Sequence, residues 1–333
     1  YDDNYNHLDI EALKRLTLEM ETAALEVNGV SQCEGAGFGS SLSDFHFTSS
    51  NGFSGGYKKT TFQSFCSAIA GRGSSMERDY SSEGLIFLND LPNPLITGKL
   101  AGTRAVERLN PQRPPTGSYP VLFDERISNS LIGHLISAIN GASIARGSSW
   151  LRKDLGKKIL PTNLTLSENP TRPGIAGSRP FDGEGLPTSQ KNFIENGVLR
   201  HFVLDLRSAR KLNLKPLGNA YRSLSSAPQP GVGNLELSPG NLTAMELMKN
   251  MKQGLVVTSM IGSTINQNTG DYSRGANGFW VENGEVVFPV NECTIASNLK
   301  EMLLNVIVAN DGKAHLSKVI PSMLVENMTV AGS

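Results

Sequence analysis

Apolar residues Leu8, Ile10, Leu13, Leu16, Leu18, Met20, Ala23 and Leu25 recur at spacings near three and four among Glu and Lys, which predicts an amphipathic helix over 8–25, ended by Asn28-Gly29. The period then changes. Phe45 and Phe47, the pair Asn51-Gly52, then Tyr57, Thr61, Phe65 and Ile69 alternate with polar or small residues, as in an antiparallel meander with one wet face. A second helix bearing Ala101, Ala105, Val106 and Leu109 leads into Pro111, Pro114 and Pro115, a proline cluster that marks a boundary.

Beyond it, 119–123 reads as a short strand. Ile127, Leu131, Leu135, Ala138, Ile139 and Ala142 place one long, largely buried helix over 128–144. Strands are expected at 163–166, around Asn196-Gly197 and at 234–237, with a Gly/Pro-rich loop over 170–187 and a helix near 206–212. Thr243, with Glu246 three residues on, has the form of a capping box for a helix over 244–251. The clearest hairpin runs Gly278-Phe-Trp-Val-Glu282, Asn283-Gly284, Glu285-Val-Val-Phe-Pro289, because Asn-Gly suits a type I′ turn with φ > 0 at both central residues. Helices and strands do not alternate strictly and no solenoid repeat is visible, so the chain is expected to be α+β, with mixed, antiparallel-rich sheets packed on helices in two domains, 1–110 and 111–333.

Composition narrows the function. With 31 Lys+Arg against 31 Asp+Glu the chain lacks the excess of cations that duplex DNA demands, and no nucleic-acid partner is expected. The densest basic stretch, Arg207, Arg210, Lys211 and Lys215, reads as a solvated helix face. No apolar run approaches the ~18 residues of a membrane span, so no membrane partner is expected. The three cysteines, Cys33, Cys66 and Cys293, are odd in number and widely spaced in sequence, which makes a reducing cytoplasm the simplest setting. The Asn-x-Thr sequons at Asn163, Asn241 and Asn327 are then chance matches. Tyr1 in place of Met is expected of a fragment or a trimmed product.

Few residues carry obvious chemistry. Gly52-Phe53-Ser54-Gly55-Gly56 has the form of a nucleophile elbow but falls in a hairpin turn with no helix after it, and Gly35-Ala36-Gly37-Phe38-Gly39 has the wrong spacing for a dinucleotide loop. His7, His46, His134, His201 and His315 are isolated in sequence. His134, inside the most apolar helix, reads either as a satisfied core or interface group or as a ligand. Asp182 and Glu184 could point the same way as ligands or acids, or organise a tight turn. Cys293 reads as a buried small hydrophobe, or as a nucleophile if His134 or His201 lay beside it.

Several segments resemble the TldD/PmbA family, and within it the PmbA branch, also called TldE. They are Ser50-Asn-Gly-Phe-Ser-Gly55, Met76-Glu-Arg-Asp-Tyr80, Leu131-Ile-Gly-His-Leu135 with Ala138-Ile-Asn-Gly141, and Ser178-Arg-Pro-Phe-Asp-Gly-Glu-Gly185. Leu204-Asp-Leu-Arg-Ser-Ala-Arg210, Gly270-Asp-Tyr-Ser-Arg-Gly275, Gly278-Phe-Trp-Val-Glu-Asn-Gly284 and Pro289-Val-Asn-Glu292 through Leu299 complete a likeness that spans nearly the whole chain. The chain is similar to such a protein without its N-terminal α/β part. The resemblance implies a cytoplasmic two-subunit metallopeptidase acting on unfolded or small peptides, in peptide-antibiotic maturation and antitoxin degradation. It also implies that the catalytic TldD subunit carries His-Glu-x-x-x-His and a cysteine near its end. Here Gly133, His134 and Ala138 stand at the motif positions, and 310–333 has no cysteine.

The chain is therefore expected to hold no cofactor of its own, zinc belonging to the partner, and to act with a TldD-like catalytic subunit on a peptide substrate. Strand edges within 45–69 and 277–290 are candidates for holding the peptide backbone, and Asp271, Tyr272, Arg274 and Trp280 for groove or interface residues, with hairpin packing and loop hydrogen bonds as the alternative. Two further functions stay open: a self-sufficient peptidase using Cys293 with His134 or His201, or Asp182 and Glu184, and a regulatory or binding protein acting on DNA gyrase. A two-fold pairing of the chain with itself is also expected.

Overall fold

The carboxylate of Asp9 accepts a hydrogen bond from the Ala12 N–H at 2.7 Å and so starts helix α1 (Ile10–Leu25), whose Met20, Ala23 and Ala24 are buried. The computed structural model describes residues 1–3 and 9–332, with the backbone alone at 263 and 264. His7 and the expected helix start at Leu8 lie outside the described residues. Two compact units are present, Tyr1–Pro111 with Gly174–Ala176, and Gln112–Pro173 with Gly177–Ser333.

In the first unit, β1 (Val30–Thr48), β2 (Ser54–Ala70) and β3 (Glu77–Leu85) form an antiparallel sheet in that order. The meander is as expected, but β1 begins well before Phe45 because Gly35, Gly37 and Gly39 carry no apolar alternation to read. Ser54 opens β2 in the hairpin, so the Gly-x-Ser-x-Gly segment forms no elbow. Helix α2 (Pro94–Glu107) is capped by Asn93, which accepts from the Leu95 N–H at 2.9 Å. A Cβ at Gly98 would collide with the Met20 carbonyl, and one at Gly102 would lie 2.9 Å from the Ala24 carbonyl. These glycines let α2 lie close against α1 over a core of Met20, Ala24, Cys66, Ala68, Ala70, Ala101 and Ala105. Pairing also corrects the expected edges. β2 is covered by β3 from Phe62 to Ala70, and among the described residues the open side of this pair belongs to β1.

The second unit runs β4 (Gly117–Phe123), α3 (Glu125–Ala138), α4 (Gly141–Arg146), β5 (Leu166–Glu168), β6 (Lys191–Glu195), β7 (Val198–Leu199), α5 (Leu206–Leu212), β8 (Ala220–Tyr221), β9 (Gln229–Pro230), β10 (Leu235–Leu237) and α6 (Ala244–Lys249). It continues through β11 (Gln253–Ile265), β12 (Asp271–Glu282), β13 (Glu285–Asn298), α7 (Leu299–Leu304), β14 (Ile307–Val308), β15 (Lys318–Val319) and β16 (Met323–Ala331). The principal sheet has the order β13-β12-β11-β4-β16-β14, and β13 pairs with β16 as well, so the sheet closes on itself. β12 is therefore interior, which removes it from the expected peptide edges. A second sheet has the order β15-β10-β5-β6-β7, and β8 pairs with β9. The α+β reading stands.

The single helix expected over 128–144 is two. Asn140 turns its side chain onto the Ala142 N–H at 3.0 Å and starts α4 afresh, while Gly141 donates its N–H to the Val203 carbonyl at 2.8 Å. A side chain at Gly141 would meet Ser208 Oγ at 2.7 Å, so the chain must bend here to pack. Periodicity alone cannot report such a break. Thr243 and Glu246 do form the capping box of α6.

The Asn283-Gly284 hairpin joins β12 and β13 with φ of 51° and 80°. At Gly284 a Cβ would lie 2.7 Å from the Lys249 carbonyl. Replacement of Gly284 by Val is expected to lower unfolding stability by about 1–3 kcal/mol, read as a reduced urea midpoint, whereas Asn283→Gly should change it by only a few tenths.

Candidate functional site

Asp124 follows β4 and caps α3 by accepting from the Arg126 N–H at 3.1 Å. The apolar stripe Leu131, Ile132, Leu135 and Ala138 is buried against the sheet, which leaves Ser130, Gly133 and His134 on the flank. The half-buried His134 ring meets Tyr272 of β12 edge-on, with centroids 6.0 Å apart. Burial, and then the positive charge of Arg274, lower the His134 pKa, so the ring is neutral at neutral pH. Tyr272 is 1% exposed, donates to Met260 Sδ at 3.2 Å, and is pushed up to about 12 by burial against the opposing effect of Arg274.

The sequence candidates thus separate. Tyr272 and Arg274, two apart on one strand, face His134 together. Asp271 is exposed at the strand end, where hydrogen bonds from Thr269 Oγ1 at 2.6 Å and Asn298 Nδ2 at 3.0 Å hold its pKa down. Trp280 lies roughly 20 Å farther along β12 than Arg274. It is fully buried, its Nε1 donates to Glu282 Oε1 at 3.0 Å, and its ring packs edge-on to Tyr119 and stacks near Phe288. For Trp280 the packing alternative therefore describes what its side chain does. Ala138 is core.

The other candidates are occupied locally. Asp182 accepts from the N–H groups of Glu184 and Leu186 at 2.9 Å and of Ala220 at 3.0 Å, the work of a turn organiser. Glu184 accepts from the Leu206 N–H at 2.8 Å, and burial raises its pKa. Cys293 Sγ donates to the Ala276 carbonyl at 3.0 Å, and burial pushes its thiol up to about 11, which leaves little thiolate. Neither His134 nor His201 is its hydrogen-bond partner. Cys33 and Cys66, distant in sequence, stand with their sulfurs 4.0 Å apart across β1 and β2 as free thiols.

Sequence reasoning missed Ser130, Arg179 and the pair Glu168–Lys191. Ser130 stands one helical turn before His134, the only signal it offered. Arg179 is 8% exposed and lies over the Tyr221 ring at 3.8 Å. Glu168 and Lys191 are buried and paired at 2.9 Å, and the carboxylate also accepts from Asn219 Nδ2 at 2.7 Å. An acid two residues after the inward Leu166 was the readable sign.

Residues 3–109 match the family model of the PmbA/TldA metallopeptidase central domain, and 116–332 that of the C-terminal domain. The chain belongs to this PmbA/TldD family. It is 38% identical over 319 residues to the Metalloprotease PmbA of Escherichia coli O157:H7, which covers 95% of this chain and 69% of that relative. A Metalloprotease PmbA homolog of Haemophilus influenzae is 35% identical, over 98% of this chain and 71% of its own. A solved protein of Bacteroides thetaiotaomicron, described as a candidate modulator of DNA gyrase, superposes with a TM-score of 0.91 at 27% identity, covering 100% of this chain and 74% of that one. TldE from Thermococcus kodakarensis, at 21% identity and a TM-score of 0.85, shares the fold and covers 100% of this chain and 77% of that one. The resemblance read from the motifs is borne out.

Membership implies a metal, and the described residues do not fit one. Among the described residues no three His, Cys, Asp or Glu side chains converge, and the charged neighbour of His134 is a guanidinium, which repels a dication.

Breaking the buried pair by Lys191→Met strands a carboxylate and is expected to cost about 3–5 kcal/mol by urea unfolding, with Glu168→Gln/Lys191→Met together recovering part of the loss. Acid should also act through His134. Unfolding frees its ring to take a proton below the ordinary value of 6.5, while the folded pKa is lower, so stability falls as pH drops through that window. His201 contributes with the same sign, so the comparison must be between variants. Urea midpoints followed from about pH 7.5 to about pH 5 should fall less steeply in His134→Gln than in the parent.

Proposed function

We propose that this chain is a PmbA/TldE-like subunit of a cytoplasmic TldD/TldE-type metallopeptidase, itself without zinc chemistry, that helps a TldD-like catalytic subunit enclose unfolded or small peptides. The single observation behind this reading is at α3, where Gly133, His134 and Ala138 offer one imidazole and Arg274 faces it with a positive charge. One imidazole is short of the three protein ligands a catalytic zinc takes, and the neighbouring cation disfavours a dication. The open side of β1 is a main-chain surface on which an extended peptide could add as a strand, a mode that reads backbone more than side chains. No helix among the described residues is long and apolar enough to cross a membrane, and the three cysteines are free.

Metal analysis and peptide cleavage on the purified chain, alone and mixed with a TldD-like subunit, test this. No bound zinc and cleavage only in the mixture are the expected results. Stoichiometric zinc with cleavage by the chain alone would overturn the reading. The description of the Bacteroides relative supports a second reading, a regulator that binds gyrase. It requires a complex with gyrase at physiological salt without any TldD-like chain, and a null pull-down removes it.

A further inference from the structure

The flank of α3 that faces β12 carries polar atoms the fold leaves unanswered. Ser130 Oγ, His134 Nε2 and Arg274 Nε are each shut from solvent, and none has a hydrogen-bond partner among the described residues. A buried donor left in this way costs ~1–3 kcal/mol, so such atoms are few in a native fold. Here they are grouped. Ser130 and His134 are one turn apart on α3, His134 feels the charge of Arg274, and Arg274 and His134 both contact Tyr272.

The charge balance is as informative as the geometry. Arg274 makes no ion pair with a carboxylate among the described residues, and its one polar side-chain contact there is the neutral Tyr272 hydroxyl. The donors available are the guanidinium Nε–H, the Ser130 hydroxyl and the imidazole Nε2–H of one neutral tautomer. They carry a single net positive charge. That set suits a monoanion with two oxygens in a plane, which the edge of an arginine recognises well, and suits neither a metal cation nor a phosphate dianion. Beside them Gly133 leaves an approach, since a Cβ there would meet nothing within 4 Å.

We propose that Ser130, His134 and Arg274 form a binding site for a carboxylate. The site lies wholly in this chain and does not depend on the partner-subunit reading. The C-terminus of a peptide and a free small carboxylate share the chemistry.

The test observes the imidazole directly. In protein labelled with ¹⁵N-histidine, the His134 ring signals are assigned by their loss in His134→Gln. The parent is then titrated with acetate, with a short N-acetylated alanine peptide bearing a free carboxylate, and with the same peptide amidated at its C-terminus. A saturable shift with a carboxylate and none with the amide is expected, weakened at least ~tenfold in Arg274→Gln. Saturation by peptide alone assigns a peptide terminus, and equal saturation by acetate assigns a free small acid. Should Arg274→Gln lose its native spectrum, Ser130→Ala is used, with affinity expected to fall ~threefold or more. No saturable shift up to ~50 mM, an equal shift with the amide, or unchanged affinity in the folded variant would overturn the proposal.

Discussion

β13 serves two neighbours at once, and most of the second unit depends on it. It pairs with β12 along its length and with β16 over Thr294–Ala296, which closes the principal sheet into a ring of strands. Closure removes the edges of an open sheet and fixes the face each residue of β12 presents. Tyr272, Ala276 and Trp280 then point into one core with Leu131, Leu135 and Ile139, and α3 is held where its flank meets Arg274. A register slip of one residue would turn Tyr272 and Arg274 away from His134 together.

The candidate site consequently belongs to packing as much as to chemistry. His134 is tuned by its surroundings, since burial and a neighbouring cation both favour the neutral ring. The guanidinium of Arg274 gives the neighbourhood of His134 a positive sign, which disfavours a dication. Family membership and a lone imidazole beside a guanidinium are compatible, because a fold persists through its core contacts while function lives in a few side chains on it.

Local signals carried much of the fold. The Asn283-Gly284 and Asn196-Gly197 turns, the Thr243–Glu246 box and the apolar stripe of α3 each have a short-range physical cause, and each is legible in the sequence alone. What failed had non-local causes. The break at Asn140 answers the close approach of Gly141 to Val203, and β1 is paired by β2 despite a glycine run that predicts nothing. The candidate site was half legible. His134, Tyr272 and Arg274 were named, yet nothing in their spacing brought them together, and Ser130 went unmarked. Trp280 drew attention for its size, which is the reason it is buried.

The open side of β1 also governs how the molecule behaves among copies of itself. A strand of 19 residues paired on one side alone among the described residues is a template for uncontrolled stacking. Its composition works against that outcome: glycines and serines weaken its hold on a chance neighbour, and register shifts near Val30 and Cys33 bend its start. Low stickiness, built into residues that look featureless, is what a long backbone edge needs if it is not to seed aggregates.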